Sequence, residues 1–291
     1  MPMIHFETLS NAAAELYEAT LKKVPEDVKG ALRKAYRAEQ HPIGKKNLDI
    51  MLENIRLAER HNTLVCHDAG MPIYYLKLGT KACFEGDIRK AIAKGVTKAV
   101  REVPLEPDIC HPLRRECYPS NVGEGVPIIH FDLIHGSSII ELTATSRGGG
   151  PETCCVLKVF GPDKPRESVR RFVLQTISEI GVRPCPPTIV GIGIGGSFDS
   201  VALLSAKASL RPLNIRHADP EIAAFERDLL KEINLLGIGA MGLGGNTTAL
   251  AVNIEVADTT VVWNPVALTM TCWTGRRASA RIFNNNKVAF F

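Results

Sequence analysis

The segment at residues 183–200 constrains the fold more than any other part of the chain, because a cysteine between prolines leads into an apolar run that ends in clustered glycines. The apolar run at 188–194 predicts a buried strand. The residues at 197–210 predict a helix that starts directly after the glycines. A strand, a tight turn and a helix in this order favour an architecture that mixes helices with a sheet.

Three of these glycines, Gly191, Gly193 and Gly196, match the G-x-G-x-x-G pattern of dinucleotide-binding turns. The dinucleotide-binding fold also needs a second strand, which ends about 20 positions later in an acidic residue that binds the ribose of the dinucleotide. Here a proline-containing loop and another helix follow, so Asp219 is expected to cap a helix. An NAD(P)-dependent oxidoreductase built on this glycine run is the alternative function. A third possibility is a protein that keeps this fold without catalytic activity, or that serves as an assembly partner.

Composition narrows the class of protein. The 291 residues are 45% hydrophobic, which is enough to bury a large core. The formal charge of +4 arises from interspersed basic and acidic residues, so we expect no nucleic-acid partner and a small anionic substrate instead. No apolar run is long enough for a membrane span, and no secretory signal is evident, so the expected location is the cytoplasm. The eight cysteines are therefore expected as reduced thiols.

Periodicity predicts a helical first part and a mixed second part. Apolar spacing indicates mostly helix over 11–60, followed by short β-rich runs at 72–78, 128–134, 138–145 and 155–160. The predicted fold class is α/β of the mixed α+β kind. We expect one intertwined domain over 1–291, with a helical part at about 1–62 and a mixed sheet and helices at about 63–291.

Three cysteines lie on predicted turns, where functional residues concentrate. Cys66 opens the CHDAG motif (66–70) between a long helix and a strand, and Cys185 precedes the glycine-rich strand. Cys272 follows an apolar run and precedes two arginines, which favour a thiolate. Together they suggest a metal site assembled from distant parts of the chain. A cubane cluster with three protein thiolates leaves one iron open to act as a Lewis acid.

Two further turns are candidates for binding. Asp68 would be held close to whatever the Cys66 thiolate binds, or would make an Asx-type turn with Gly70. Gly149 and Gly150, in the RGGG motif (147–150), would offer backbone amides to a substrate carboxylate, or would form a plain β-turn.

Six motifs occur in one order along nearly the whole chain: CHDAG (66–70), RGGG (147–150), PCPP (184–187), GIGIGGS (191–197), GLGGN (242–246) and CWTGRR (272–277). In this order they resemble the α subunit of the two-subunit iron–sulfur hydro-lyases, the class I fumarate hydratase and L-tartrate dehydratase family.

The resemblance implies the fold of that α subunit and a four-iron four-sulfur (4Fe–4S) cluster on Cys66, Cys185 and Cys272. The open iron would bind a carboxylate and the hydroxyl of a hydroxy-dicarboxylic acid, in a reversible hydration or dehydration. Asp68 matches the family's acidic residue beside the first ligand and would carry the proton traffic at the hydroxyl. His67 stands where the family often has Gln and would contact substrate.

The resemblance places a carboxylate-binding arginine at Arg115, with Arg114 as its competitor. The match is imperfect, because fumarases commonly carry Asn two residues later and this chain has Cys117. The family often has histidines where this chain has Asp258 and Thr260. The substrate is therefore open: hydration of fumarate to malate is placed first, with dehydration of L-tartrate to oxaloacetate or hydration of mesaconate close behind.

The resemblance also implies a partner. In two-subunit members the catalytic base and further substrate-binding groups come from a separate β subunit. The expected assembly is therefore a heterotetramer of two αβ pairs.

Overall fold

The computed structural model describes residues 2–291 and shows a mixture of helices and sheets, which confirms the predicted fold class. The eight α-helices of these residues are α1 (Phe6–Lys22), α2 (Glu26–Ala38), α3 (Pro42–His61), α4 (Ile88–Glu102), α5 (Gly149–Glu152), α6 (Pro165–Ile180), α7 (Phe198–Leu210) and α8 (Pro220–Leu235). The strands are β1 (Met71–Gly79), β2 (Ile128–Ile134), β3 (Ile139–Arg147), β4 (Val156–Phe160), β5 (Thr188–Gly195), β6 (Ala249–Ala257), β7 (Asn264–Thr271), β8 (Ala278–Phe283) and β9 (Val288–Phe290).

Residue contacts divide the chain into two compact units, each made of separate segments. The first unit contains 1–24, 55–148 and 276–291, and the second contains 25–54 and 149–275. The chain therefore passes from one unit to the other four times. The organisation as a single domain over 1–291 stays a prediction.

The first unit is built on a five-stranded sheet in the order β2-β1-β3-β8-β9. Strand β1 pairs parallel with β2 and antiparallel with β3, and β3 pairs antiparallel with β8. Helices α1 and α4 pack on each other, and α1 also contacts β3 and β8. Tyr17 and Tyr74 are the largest of the fully buried side chains in this core.

The second unit is built on a four-stranded sheet in the order β4-β7-β5-β6. Its central strand β5 is buried along nearly its whole length, as the apolar run predicts. A Cβ on Gly191 would lie 2.3 Å from the carbonyl oxygen of Ser205, and one on Gly193 would lie 2.4 Å from that of Val201. These two glycines thus allow α7 to pack closely on β5, and the nucleotide-binding alternative gains no support.

The elements confirm most of the sequence prediction. The first part is helical through α1, α2 and α3, and Asp219 caps α8 by accepting a hydrogen bond from the Glu221 amide at 2.8 Å. The apolar run before Cys272 forms strand β7 from Asn264 onward, and the residues after Arg277 add β8 and β9, which the sequence did not predict. None of the helices within residues 2–291 combines the length and the apolar character needed to cross a bilayer.

Candidate active site

The CHDAG turn (66–70) lies in the first unit, directly before β1. Its first three side chains remain accessible, since Cys66 and Asp68 are half-buried and His67 is exposed. A hydrogen bond supports the backbone behind them: Ser146 Oγ donates to the carbonyl oxygen of Ala69. The turn thus presents three polar side chains from a fixed backbone.

A buried arginine supports the same carbonyl. Arg276 is only 6% exposed, and its Nη1 lies 3.2 Å from the Ala69 oxygen and 3.3 Å from Ser146 Oγ. Its own carbonyl accepts a hydrogen bond from Thr145 Oγ1 at 2.7 Å. The CWTGRR motif (272–277) therefore contributes a buried cation that fixes the turn carrying Cys66 and Asp68.

A buried tyrosine closes the other side of the turn. The Tyr17 hydroxyl donates to the carbonyl oxygen of Gly70 at 3.4 Å. Burial is the main cause that raises the pKa of Tyr17 to about 12; the negative charges of Asp108 and Asp68 act in the same direction, and a hydrogen bond with Asn121 acts against them. Tyr17 therefore stays protonated at neutral pH and acts as a hydrogen-bond donor to the turn.

Gly148 leaves room for the Asp68 carboxylate. A methyl group on Gly148 would lie 2.5 Å from Asp68 Oδ2, and its φ lies outside the left-handed region. Because Gly148 of the RGGG motif has no side chain, the Asp68 carboxylate can approach the backbone at the end of β3.

We expect Gly148→Ala to displace the Asp68 carboxylate without unfolding the chain, because the atom it meets is the end of a flexible side chain. The resemblance assigns Asp68 to the proton of the substrate hydroxyl, and a displacement of about 1 Å at such a group costs on the order of 10²-fold, so we expect kcat/KM to fall by about that factor. The control is Gly161→Ala, since a Cβ at Gly161 meets no atom within 4 Å. Equal activity of the two variants would show that Asp68 has no need of this position.

The loop that carries Arg115 is tied to the same turn. Asp108 Oδ2 accepts a hydrogen bond from the Gly70 amide at 2.5 Å. Asn121 Oδ1 accepts from the amides of Asp108 at 2.8 Å and Ile109 at 3.3 Å, so the two ends of the loop are joined. These hydrogen bonds attach the base of this loop, the arginine loop (residues 108–121), to the turn that carries Asp68.

The two arginines of this loop differ in their partners. Arg114 Nε lies 3.3 Å from Glu116 Oε2 in an exposed ion pair. Arg115 is exposed, and within residues 2–291 its guanidinium makes no ion pair. Its φ of +59° is in the left-handed region, so the backbone turns sharply there. Of the two, Arg115 has the cation available for a substrate carboxylate.

The other two cysteines meet in the second unit. Cys185 has a φ of +54°, and its carbonyl oxygen accepts a hydrogen bond from the Trp273 amide at 3.3 Å. Cys272 Sγ lies 2.9 Å from Thr274 Oγ1. Both cysteines are half-buried. The structure thus places the turn of Cys185 directly beside the turn of Cys272, although the two are far apart in sequence.

The RGGG motif reaches the Cys185 turn as well. Gly149 and Gly150 begin the single helical turn α5, instead of a plain β-turn, and Gly149 is exposed. A Cβ on Gly150 would lie 2.7 Å from the carbonyl oxygen of Arg183, two residues before Cys185. Only a glycine allows this approach of backbone to backbone.

Glu39 was not predicted from the sequence, yet it organises the GLGGN motif (242–246). Its side chain is buried, and it accepts hydrogen bonds from the amides of His41 at 3.0 Å and Asn246 at 2.7 Å. The preceding Met241 amide donates to the carbonyl oxygen of Pro186 at 2.8 Å, beside Cys185. The sequence carries no signal for this role, because the burial of Glu39 becomes visible only in the fold.

The donor set fits an iron–sulfur cluster in its chemistry, because cysteine thiolates are the usual ligands of such clusters. All eight cysteines lie among the described residues, and none forms a disulfide. Cys66 belongs to the first unit, whereas Cys185 and Cys272 belong to the second. Among residues 2–291, no three His, Cys, Asp or Glu side chains are grouped as a metal site, so ligation by all three cysteines stays a prediction.

Comparisons with known proteins find similar sequences over most of the chain. The family model described as "Fumarate hydratase (Fumerase)" matches residues 10–281. A Methanocaldococcus jannaschii protein, provisionally named L(+)-tartrate dehydratase subunit alpha, is 44% identical over 94% of this chain and 97% of its own length. The L(+)-tartrate dehydratase subunit alpha of Escherichia coli K12 is 33% identical over 88% of this chain and 85% of its own.

Proposed function

The chain belongs to the fumarate hydratase (Fumerase) family, and from this premise we propose that it is the α-type subunit of a hydro-lyase that adds water to, or removes it from, a dicarboxylate with a four-carbon backbone. The observation that carries the proposal is the hydrogen bond from the Trp273 amide to the Cys185 carbonyl, which joins two of the predicted ligand turns. Nothing in a nucleotide-binding site requires two cysteine turns side by side.

Cys66, Cys185 and Cys272 would hold a 4Fe–4S cluster. When bound, the cluster would supply a Lewis-acidic iron that favours departure or attack of a hydroxyl. The accessible thiols and the buried backbone around them support this assignment. The positive φ of Cys185 directs the chain into the following strand, and the Thr274 hydroxyl lies within hydrogen-bonding distance of the Cys272 sulfur.

The polar groups of the chain would bind the substrate and move its proton. Asp68 would exchange the proton at the substrate hydroxyl, because its carboxylate is half-buried and lies on the side-chain-free face of Gly148. The exposed Arg115 would bind one substrate carboxylate, and His67 would contact the substrate from the same turn as Asp68. The amides of Gly149 and Gly150 would bind the other carboxylate.

The three candidate substrates, fumarate, L(+)-tartrate and mesaconate, are chemically similar. Fumarate comes first on the sequence motifs, whereas the names of the similar proteins place L(+)-tartrate beside it. Mesaconate differs from fumarate by one methyl group, for which a pocket discriminates by only about 1–3 kcal/mol. Asp258 and Thr260, which replace the histidines seen in the family, are the positions expected to decide among the three.

The partner follows from the same names. The similar proteins are named as alpha subunits, and we propose that this chain also assembles with a β-type subunit, in two αβ pairs. That subunit would supply the base that removes the proton from carbon, since the proposed site of this chain assigns Asp68 to the hydroxyl.

The test is co-expression of this chain with its β-type partner, followed by anaerobic assay with fumarate, L(+)-tartrate and mesaconate. We expect the complex to hydrate fumarate or to dehydrate L(+)-tartrate, and we expect neither reaction from either chain alone. A complex that holds iron and sulfide but converts none of the three substrates would contradict the proposed function. A colourless, iron-free complex that binds NADH would favour the oxidoreductase instead.

A further inference from the structure

Two cysteines outside the proposed cluster site face each other at the base of the arginine loop. Cys110 and Cys117 are partners in an isolated antiparallel bridge of the first unit. The His111 amide donates to the Glu116 carbonyl at 2.8 Å, and the Tyr118 amide donates to the Ile109 carbonyl at 2.7 Å. These bonds flank the cysteines on both sides, so Cys110 and Cys117 form a non-hydrogen-bonded pair.

This pairing gives the geometry that a disulfide needs. The Cα atoms of a non-hydrogen-bonded antiparallel pair lie about 4.5 Å apart, and the two side chains project from the same face. Disulfides form at Cα separations of about 4.4–6.8 Å. Cys117 is exposed and Cys110 is half-buried, so a thiol reagent reaches the pair without unfolding. We propose that Cys110 and Cys117 form a reversible disulfide that restrains the loop carrying Arg114 and Arg115.

The bond forms by thiol–disulfide exchange with a small-molecule disulfide such as oxidised glutathione. The exposed Cys117 thiolate attacks one glutathione sulfur, which gives a mixed disulfide and releases one glutathione thiolate. The Cys110 thiolate then attacks the Cys117 sulfur and releases the second. The two protein thiols lose two electrons, and the two glutathione molecules take up those electrons and the two thiol protons.

A disulfide between Cys110 and Cys117 would restrain the arginine loop. Residues 111–116 lie between the two cysteines, and His111 Nδ1 already accepts hydrogen bonds from the amides of Leu113 at 3.2 Å and Arg114 at 3.1 Å. Closing the loop covalently removes conformations in which these bonds are open. The oxidised loop holds Arg115 in its present turn, and the effect of this on substrate binding rests on the proposed function.

In the test, the chain is equilibrated under argon in buffers that differ in the ratio of reduced to oxidised glutathione. The free thiols are then alkylated, and the peptides are mapped by mass spectrometry. We expect a peptide that links Cys110 to Cys117 and that disappears on reduction. In Cys110→Ser, Cys117 should form only a mixed disulfide with glutathione. The control Cys83→Ser should keep the cross-link. If the wild-type chain forms only separate mixed disulfides, or neither cysteine reacts, the proposal is wrong.

A second readout needs no enzymatic activity. Hydrogen exchange of the amides of residues 111 and 113–116 should slow by roughly tenfold or more on oxidation, and Cys110→Ser should show no such change. Unchanged exchange in a cross-linked chain would contradict the restraint. In the complex, oxidation should lower KM for the dicarboxylate severalfold with kcat unchanged. Slowed exchange with unchanged KM would support the disulfide and count against Arg115 as a substrate ligand.

Discussion

Replacing Cys185 by serine should abolish both the cluster and the activity of the complex. Serine oxygen is a poor substitute for thiolate toward iron, and the turn that holds Cys185 has no neighbouring cysteine in sequence to replace it. We expect brown colour and bound iron to be lost and turnover to fall by more than about 10³-fold. Cys66→Ser and Cys272→Ser should behave in the same way.

The matched control for this experiment is Cys155→Ser. Cys155 is half-buried like the three proposed ligands, and its sulfur accepts a hydrogen bond from the Met270 amide at 3.5 Å, which a hydroxyl can also do. This variant should keep its iron, its colour and its activity. If all four serine variants lose iron to the same extent, or none does, the assignment of ligands is wrong.

Replacing Asp68 by asparagine should remove activity and leave the cluster in place. Asparagine has nearly the same shape but cannot exchange a proton at neutral pH, and loss of a general acid or base typically costs about 10²–10⁴-fold in kcat. Asp68 is not among the three proposed ligands, so absorbance and iron content should match those of the wild-type complex. Steady-state kinetics and iron analysis on one preparation would measure both.

Two variants show whether this effect is specific to Asp68. Asp199→Asn alters an exposed acid at the start of α7 and should leave kcat unchanged. His67→Ala changes the neighbouring side chain, which is proposed to contact substrate, and should raise KM with a smaller effect on kcat. An Asp68→Asn complex with wild-type kcat would remove Asp68 from the proposed chemistry.

The sequence predicted those parts of the fold in which local pattern and burial agree. Strand β5 is an apolar run buried by the fold, and helices α1 to α3 follow the spacing of their apolar residues. Strand β8 was missed because its alternation of small and charged residues resembles a solvated tail. Its pairing with β3 joins residues far apart in sequence, and no local pattern reports such a pairing.

In the candidate site, too, local sequence patterns predict some features and miss those that depend on residues far apart in the chain. Cysteines at turns are visible in a sequence because thiols are rare and chemically specific. Arg276, Asp108 and Glu39 support those turns through bonds to backbone atoms distant in sequence. Such partners depend on the folded path of the chain and not on residue type. The separation of Cys66 from Cys185 and Cys272 into different units likewise follows from contacts and not from any motif.

The interleaving of the two units sets an order on folding during synthesis. The first unit contains residues 276–291, so its sheet lacks β8 and β9 until all of the second unit has been translated. Until then β3 presents an open edge, which is a template for unwanted pairing between nascent chains. Arg276, which holds the Ala69 carbonyl, also emerges late. The CHDAG turn, which comes first in the chain among the turns of the proposed site, is therefore completed by a residue that is translated after the second unit.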